Sequence, residues 1–342
     1  MKMKFGVRLP NTGPLADADA ILRVAERADA LGFDGVSFHD HVSLTREERY
    51  HNAGGLAEVV DDRERQGLSV TDVYEGMVTL AVVAGRTTNV RLIPSAFVFP
   101  WRHPVLFAKQ IVTLHELSNR RVVCCVAIGN VESDFKAMSV SPKIRGRLMD
   151  EHLAVLSGLF QRGEMTYHGD YLHIEEARIS PRPHDLPVWI AGGFGPPSYR
   201  RVANYAQGFY PFGTPAEFRR NLPTLDKYLR SYGRRLEDIE LAGQTFLCIE
   251  ENGGEALRRC RYTVEAFYSS RTLTEQAEAR AARAQRSMET AFIGSPDQVI
   301  QRAAAYADAG VRYVDMRLIN RTLDDILRMM ELFAAEVMPS FN

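Results

Sequence analysis

By type and spacing, the residues of this chain best suited to chemistry lie in the run FHDHV at 38–42. In an extended segment successive side chains alternate faces, so His39 and His41 point one way and Asp40 the other. Three chemistries fit that pattern. Two imidazoles can begin a metal site, a histidine beside a carboxylate can move protons, or a pair of polar residues can simply close a strand.

A metal site, as in the His-x-His of amidohydrolase barrels, needs further ligands, because two imidazoles alone hold a metal poorly. The later strand ends read AIGN, WIAGG, YPFG and FLCIE, with no histidine among them. His103, His115, His152, His168, His173 and His184 fall on helices or loops, and Asp315 lies within the last strand. A metal-dependent amidohydrolase is therefore the remote alternative, and no metal ligand is assigned. Two further stretches stand out. In LIPSAFVFPWRHP (92–104), Pro94 precedes Ser95 and Ala96; proline cannot donate to a sheet ladder, so a bulge or distortion is expected there. In WIAGGFGPPSYRRVANYA (189–206), a strand runs into Gly192, Gly193 and Gly195 and then a helix, an arrangement whose exposed amides can cradle a phosphate. It is neither a P-loop nor GxGxxG.

The elements that must position these residues alternate. Strands are expected at 4–9, 35–39, 89–99, 121–128, 187–192, 208–212, 241–249 and 311–319, with amphipathic helical patterns between them. In the first helix Ile21, Leu22, Val24, Ala25, Ala28 and Leu31 recur at helical spacing, Asp17 can cap the start and Gly32 stops it. A closing helix at about 323–336 puts Leu323, Ile326, Leu327, Met330 and Phe333 on one face. The strands are mostly continuous apolar runs, as parallel strands covered on both sides require. Eight strand–helix units predict a single α/β domain over 1–342, a TIM-type eight-stranded barrel with its site at the carboxyl ends of the strands; a doubly wound sheet is the runner-up. Three excursions exceed ordinary connections, at about 43–70, 163–186 and 252–290. The second reads as two extended stretches around a Gly–Asp turn, and the third as an Arg/Glu-rich helical insertion.

Composition bounds the function. With 45% hydrophobic and 25% charged residues and a net charge of -1, the 342-residue chain has no basic stripe, so nucleic acid is not an expected partner. No apolar run approaches the roughly 20 residues of a membrane span, and the opening residues lack a signal peptide's apolar stretch. Cys124, Cys125, Cys248 and Cys260 show no framework spacing. The first two read as small core residues of a buried strand, and a reducing, cytoplasmic setting follows as the expectation.

These features, in this order, resemble the bacterial luciferase-like family of flavin- and deazaflavin-dependent oxidoreductases. The resemblance rests on MKFGVRLPNTGP, LGFDGVSFHDHV, NVRLIPSAFVFPWRHPVLFAKQIVTLHELSNRRVVCCVAIGN, RGRLMDEHLAVLSGLF, YHGDYLHIEEARISPRP, PVWIAGG and IGSPDQVIQRAAAYADAGVRYVDMRL, which span nearly the whole chain. It implies a TIM barrel whose second strand ends in an acidic residue and a histidine, here Asp40 and His41, with His41 in proton transfer or in stabilising the flavin adduct. A non-prolyl cis peptide, placed at Ser95–Ala96, is implied beneath the cofactor ring. Gly192 and Gly193, with Gly195 and Ser198, are implied around the cofactor phosphate, and Asn11 and Ala127 in the cofactor pocket. Departures from the family are Asn130 and His39, where many relatives have other residues, and the adjacent prolines in GGFGPPSY.

The leading expectation is a monooxygenase that receives reduced FMN from a separate reductase and uses oxygen to oxidise a small organic substrate, with the 43–70 segment closing over the pocket. The alternative is an oxidoreductase using coenzyme F-420, with His41 as acid or base during hydride transfer. From another class, a non-catalytic flavin-binding protein is a third reading, which retention of Asp40–His41 disfavours. A homodimer through early barrel helices is implied by the family, and the apolar stretch VYEGMVTLAVVAG (73–85) suits it.

Overall fold

The computed structural model of the chain describes residues 2–12, 15–42, 72–260, 285, 288–319 and 322–341. Its strands are β1 (Lys4–Arg8), β2 (Gly35–Ser37), β3 (Arg91–Leu92), β4 (Phe97–Val98), β5 (Cys124–Ala127), β6 (Glu164–His168), β7 (His173–Arg178), β8 (Val188–Ala191), β9 (Gly208–Tyr210), β10 (Glu240–Ile249), β11 (Phe292–Gly294) and β12 (Tyr313–Leu318). The helices used below are α1 (Ala18–Leu31), α2 (Gly76–Arg86), α3 (Pro104–Leu117), α4 (Glu132–Ala137), α5 (Arg145–Arg162), α6 (Pro196–Tyr205), α7 (Pro215–Ser231), α8 (Pro296–Asp308) and α9 (Leu323–Glu336).

The main sheet is parallel, in the order β3-β2-β1-β12-β10-β9-β8-β5-β4. Its two end members, β3 and β4, are halves of one strand, and a parallel bridge from Leu92 to Val122 joins β3 to the stretch before β5, so the sheet closes on itself. This is the eight-stranded barrel expected from the alternation. The third strand is interrupted rather than continuous over 89–99. The amides of Ile93 and Ser95 still donate to Val36 and Phe38 (2.9 and 3.1 Å), while pairing with β5 lapses around Pro94, which has no amide to give. The peptide between Ser95 and Ala96 is cis.

Local chemistry sets the element ends. Asp17 accepts from the amides of Asp19 and Ala20 (2.9 and 3.2 Å) at the start of α1, and Gly32, left-handed at φ 79°, ends it. Thr322 caps α9, which buries Ile326, Met329, Met330 and Phe333 against the barrel. Both Cys124 and Cys125 are buried free thiols, as expected of core residues. The other two cysteines, whose spacing showed no framework and which the expected reducing setting would leave free, are paired: the chain turns back over 12 residues and Cys248 and Cys260 form a disulfide, their Cα atoms 6.4 Å apart.

The excursion at 163–186 folds as the antiparallel hairpin β6–β7, with Glu151 of α5 accepting from the turn amides of Asp170 and Leu172 (2.9 Å each). The 43–70 excursion lies outside the described residues, as does most of 252–290. The short strand β11, which the sequence reading did not separate, adds to β10 at the end of that third excursion. No described helix is long and apolar enough to cross a membrane.

Candidate active site

At the carboxyl ends of the strands lies a cavity of about 440 Å³. His39 and His41 follow β2 into its wall, Ser95 and Ala96 come from the interrupted third strand, and Ala127 and Asn130 from the end of β5. Gly192, Gly193 and Ser198 line the side nearest α6. The structure thus brings together eight of the ten residues carried forward from sequence, Asp40 among them, and leaves Asn11 and Gly195 off the wall.

His41 is held from α4. Its Nδ1 lies 2.8 Å from Oδ2 of the fully buried Asp134, whose Oδ1 accepts from the amide of Val42 (3.0 Å). A carboxylate can only accept, so Nδ1 carries the proton and Nε2 is the nitrogen left for the cavity. The rings of His39 and His41 stack with centroids 5.9 Å apart, which bears out the alternation read from FHDHV. Asp40 faces the other way. Its Oδ2 accepts from the Val98 amide (2.7 Å) and from Arg102 (2.6 Å), and its Oδ1 from the second guanidinium nitrogen of Arg102 (2.6 Å). Burial raises the Asp40 carboxyl above its ordinary range, with Arg102 pulling against that. Asn11 works from behind the wall. Its side chain, wholly buried, donates to the His39 and Tyr74 carbonyls (2.7 and 3.1 Å) and accepts from the His39 amide (2.9 Å), so it fixes the path of the histidine segment rather than meeting a ligand.

The cavity floor is a buried polar network. Arg8, at the end of β1, donates to Ser95 Oγ (2.6 Å), Tyr210 Oη (3.2 Å) and Gln244 Oε1 (3.2 Å), and approaches His39 Nε2 at 3.5 Å. Below it Asp315 of β12 pairs with Arg8 and accepts from Ser37 Oγ and Tyr210 Oη, both at 2.6 Å. Burial works against the Arg8 charge, but Asp315 and Tyr210 more than offset it and hold the guanidinium above its ordinary value. Burial, with Arg8, Arg317 and His41 adding to it, pushes His39 well below the usual histidine range. His39 is therefore neutral at pH 7.

At the glycine-rich turn, Gly193 has open space where a side chain would stand, and a Cβ on Gly192 would fall 2.9 Å from Ser198 Oγ. Gly195 is the residue before α6, and Pro196 and Pro197 occupy the first two helical positions, so that first turn offers two fewer amides than usual. Two arginines flank it. Arg201 is buried and clamped by Asp150 (2.6 and 3.2 Å) and the Gly146 carbonyl (2.9 Å). Arg145 is held by the Pro142 carbonyl (2.5 Å), and its Nε is buried with no partner among the described residues.

Sequence reading did not find Arg8, Tyr210, Gln244, Asp134, Arg102, Arg145 or Arg201. For Arg8 and Gln244 a signal exists: each is a polar residue in an otherwise apolar stretch, GVRLP at the end of β1 and LAGQTF within β10. Tyr210 ends the apolar strand β9, and the others lie on helices and loops whose position depends on the fold.

The chain has relatives of known kind. A family model described as luciferase-like monooxygenase matches residues 3–313. An F-420-dependent glucose-6-phosphate dehydrogenase from Intrasporangium calvum is 24% identical over 334 residues, covering 92% of each chain. An FMNH(2)-dependent dimethylsulfone monooxygenase from Pseudomonas fluorescens is 21% identical over 63% of this chain and 57% of its own. Among solved structures, a monooxygenase from Streptomyces bottropensis superimposes with a TM-score of 0.80 at 20% identity, over 99% of this chain and 100% of its own.

Proposed function

Because the chain belongs to the luciferase-like monooxygenase family, we propose that it uses reduced FMN and oxygen to oxidise a small organic substrate, with a separate reductase supplying the FMN. The observation that carries this reading is the convergence of three features in one cavity: His41 with Asp134 behind it, the Ser95–Ala96 segment, and the Gly192–Gly193 turn.

The residues present suit a phosphate-bearing ring cofactor. Gly192 and Gly193 leave backbone uncovered, Ser198 adds a hydroxyl, and Arg145 adds a cation whose Nε has no partner among the described residues. Arg201 is engaged by Asp150 and shapes that wall. When bound, reduced FMN supplies the electrons with which oxygen is activated. The chain's own part is proton handling and enclosure. His41 offers Nε2 to the cavity while Asp134 fixes its tautomer and ring direction. Asp40 is assigned a positioning role, since both its oxygens hold Arg102 and the third strand. Val98, Ile128 and Met149 give the cavity apolar walls that keep water from the reacting groups.

A second reading has its own support. The F-420-dependent relative spans 92% of both chains, which favours coenzyme F-420 and hydride transfer, with His41 as acid or base. Anaerobic fluorescence titration with oxidised FMN, reduced FMN and F-420 separates the two. Tight binding of reduced FMN with none of F-420 supports oxygenation; selective F-420 binding replaces it with hydride transfer, and binding of neither removes both. His41→Ala should lower turnover by about 100-fold while cofactor affinity changes little; unchanged turnover would sink its role. The same proposal includes a cytoplasmic homodimer. Val78 and Val82 of α2, 66% and 50% exposed, support the second copy, which sedimentation tests.

A further inference from the structure

The floor of the cavity holds more contacts than an ion pair needs. Ser95, Gln244, Tyr210 and His39 all line the cavity, and all four meet Arg8; of these only Tyr210 meets Asp315. The positive end of the Arg8–Asp315 pair therefore faces the ligand space, and the negative end lies beneath it.

Arginine only donates hydrogen bonds, so each group facing it must turn its acceptor that way. Gln244 presents Oε1 to Arg8, which leaves its amide nitrogen for the cavity. Ser95 Oγ accepts from Arg8 at 2.6 Å. Tyr210 gives its own proton to Asp315, so in the 3.1 Å contact between the two hydroxyls Ser95 donates and Tyr210 accepts. A guanidinium 3.5 Å from His39 Nε2 favours the lone pair on that nitrogen and the proton on Nδ1. We propose that Arg8 is a positioning residue that sets Gln244 and His39 as donors toward the cavity, with Ser95 held between Arg8 and Tyr210, so that the floor selects a ligand group offering only acceptors. Such a group is an anionic or carbonyl oxygen system. It has two sources: the dione of a reduced, deprotonated ring cofactor, in which case the inference rests on the function proposed above, or a carboxylate or carbonyl of the substrate.

The polarity itself is tested on ligand-free protein by nitrogen-15 NMR of labelled histidines. His39 should be neutral at pH 7 with its proton on Nδ1. It should lose that preference in the double variant Arg8→Met with Asp315→Leu, which removes both charges together. A proton on Nε2 in the unaltered protein, or the same tautomer in both, overturns the proposal. Gln244→Leu keeps the ion pair and keeps the proposal testable should the double variant fail to fold. If the cofactor supplies the acceptor, that variant should weaken reduced FMN or reduced F-420 by about tenfold and the oxidised form far less. If the substrate supplies it, cofactor binding holds and a carboxylate probe, benzoate, weakens by about tenfold. Cofactors and benzoate all bound as by the unaltered protein overturns the proposal and leaves the functional reading intact. Benzoate binding that depends on Gln244, with no cofactor bound, does the reverse.

Discussion

Two arginines enter the barrel interior from opposite ends, and their surroundings differ in a way that separates a plug from a site. Arg91, at the amino end, gives both guanidinium nitrogens to Glu240 (2.9 and 3.0 Å) and lies over the rings of Trp189 and Tyr313, 5.5 and 5.1 Å from their centroids. One carboxylate takes both nitrogens and two rings cover the group. Arg8, at the carboxyl end, shares its donors among side chains that open onto the cavity. Exposure follows the same division: the Arg91 and Glu240 side chains are 24% and 22% exposed, those of Arg8 and Asp315 7% and 1%. Water can help compensate a charge at the lower end and cannot at the upper one.

Removing each arginine should therefore break the symmetry most strongly. Arg8→Met leaves Asp315 buried and uncompensated, which should cost about 3–5 kcal/mol of stability. Arg91→Met leaves a carboxylate that water reaches, and should cost about 1 kcal/mol plus the lost ring contact. Urea unfolding measures both. Adding Asp315→Leu to Arg8→Met should recover most of the loss, and equal losses for the two single variants would erase the distinction between the ends.

Acid sharpens the comparison next. Burial lowers His152 of α5 to about 4, although the Phe99 carbonyl at its Nδ1 pulls the other way, and His39 at the cavity floor is also held well below its ordinary value. In both cases the unfolded chain takes up the proton first. Stability is then fully present above the unfolded histidine value of about 6.5 and falls with pH below it. For His152 the fall continues to about 4 and amounts to about 3 kcal/mol. Melting temperature against pH should show this slope, and His152→Gln should flatten part of it. The double variant lacking the Arg8–Asp315 pair removes the second cause of the His39 shift and should narrow that residue's window from below. A slope unchanged in both variants would mean that neither histidine titrates as its surroundings dictate.

The barrel was legible because its strands and helices are written in long apolar periods, and because Asp17, Gly32 and the FHDHV spacing act locally. The Ser95–Ala96 cis peptide was placed only through family resemblance. What stayed hidden has a common cause. In a parallel strand buried on both faces, inward and outward positions do not differ in hydropathy, so Arg8, Ser37, Gln244 and Asp315 stand out as polar among apolar neighbours but nothing marks them as facing one shared interior. Their meaning appears only when separate strands bring them within hydrogen-bond reach. Asp134 and Arg102 were hidden differently: each acts on FHDHV from more than 60 positions downstream, and no local spacing encodes that distance.

Two buried tyrosines provide the smallest and most direct contrast between the ends. Tyr210 Oη donates to Asp315 at 2.6 Å and meets Arg8 and Ser95, whereas Tyr313 Oη is buried with no hydrogen-bond partner among the described residues. Tyr313 fits by shape. Its hydroxyl fills space that Gly6 and Gly35 leave open, and a Cβ on Gly6 would fall 1.7 Å from it. Tyr210→Phe should cost about 2 kcal/mol, because a buried carboxylate loses a donor, while Tyr313→Phe removes an unsatisfied hydroxyl and should be neutral or stabilise by up to about 1 kcal/mol. Paired urea unfolding curves decide it. A clear loss for Tyr313→Phe would mean that the lower end holds a polar contact as binding as those above, and that the barrel's division into plug and site does not reach its tyrosines.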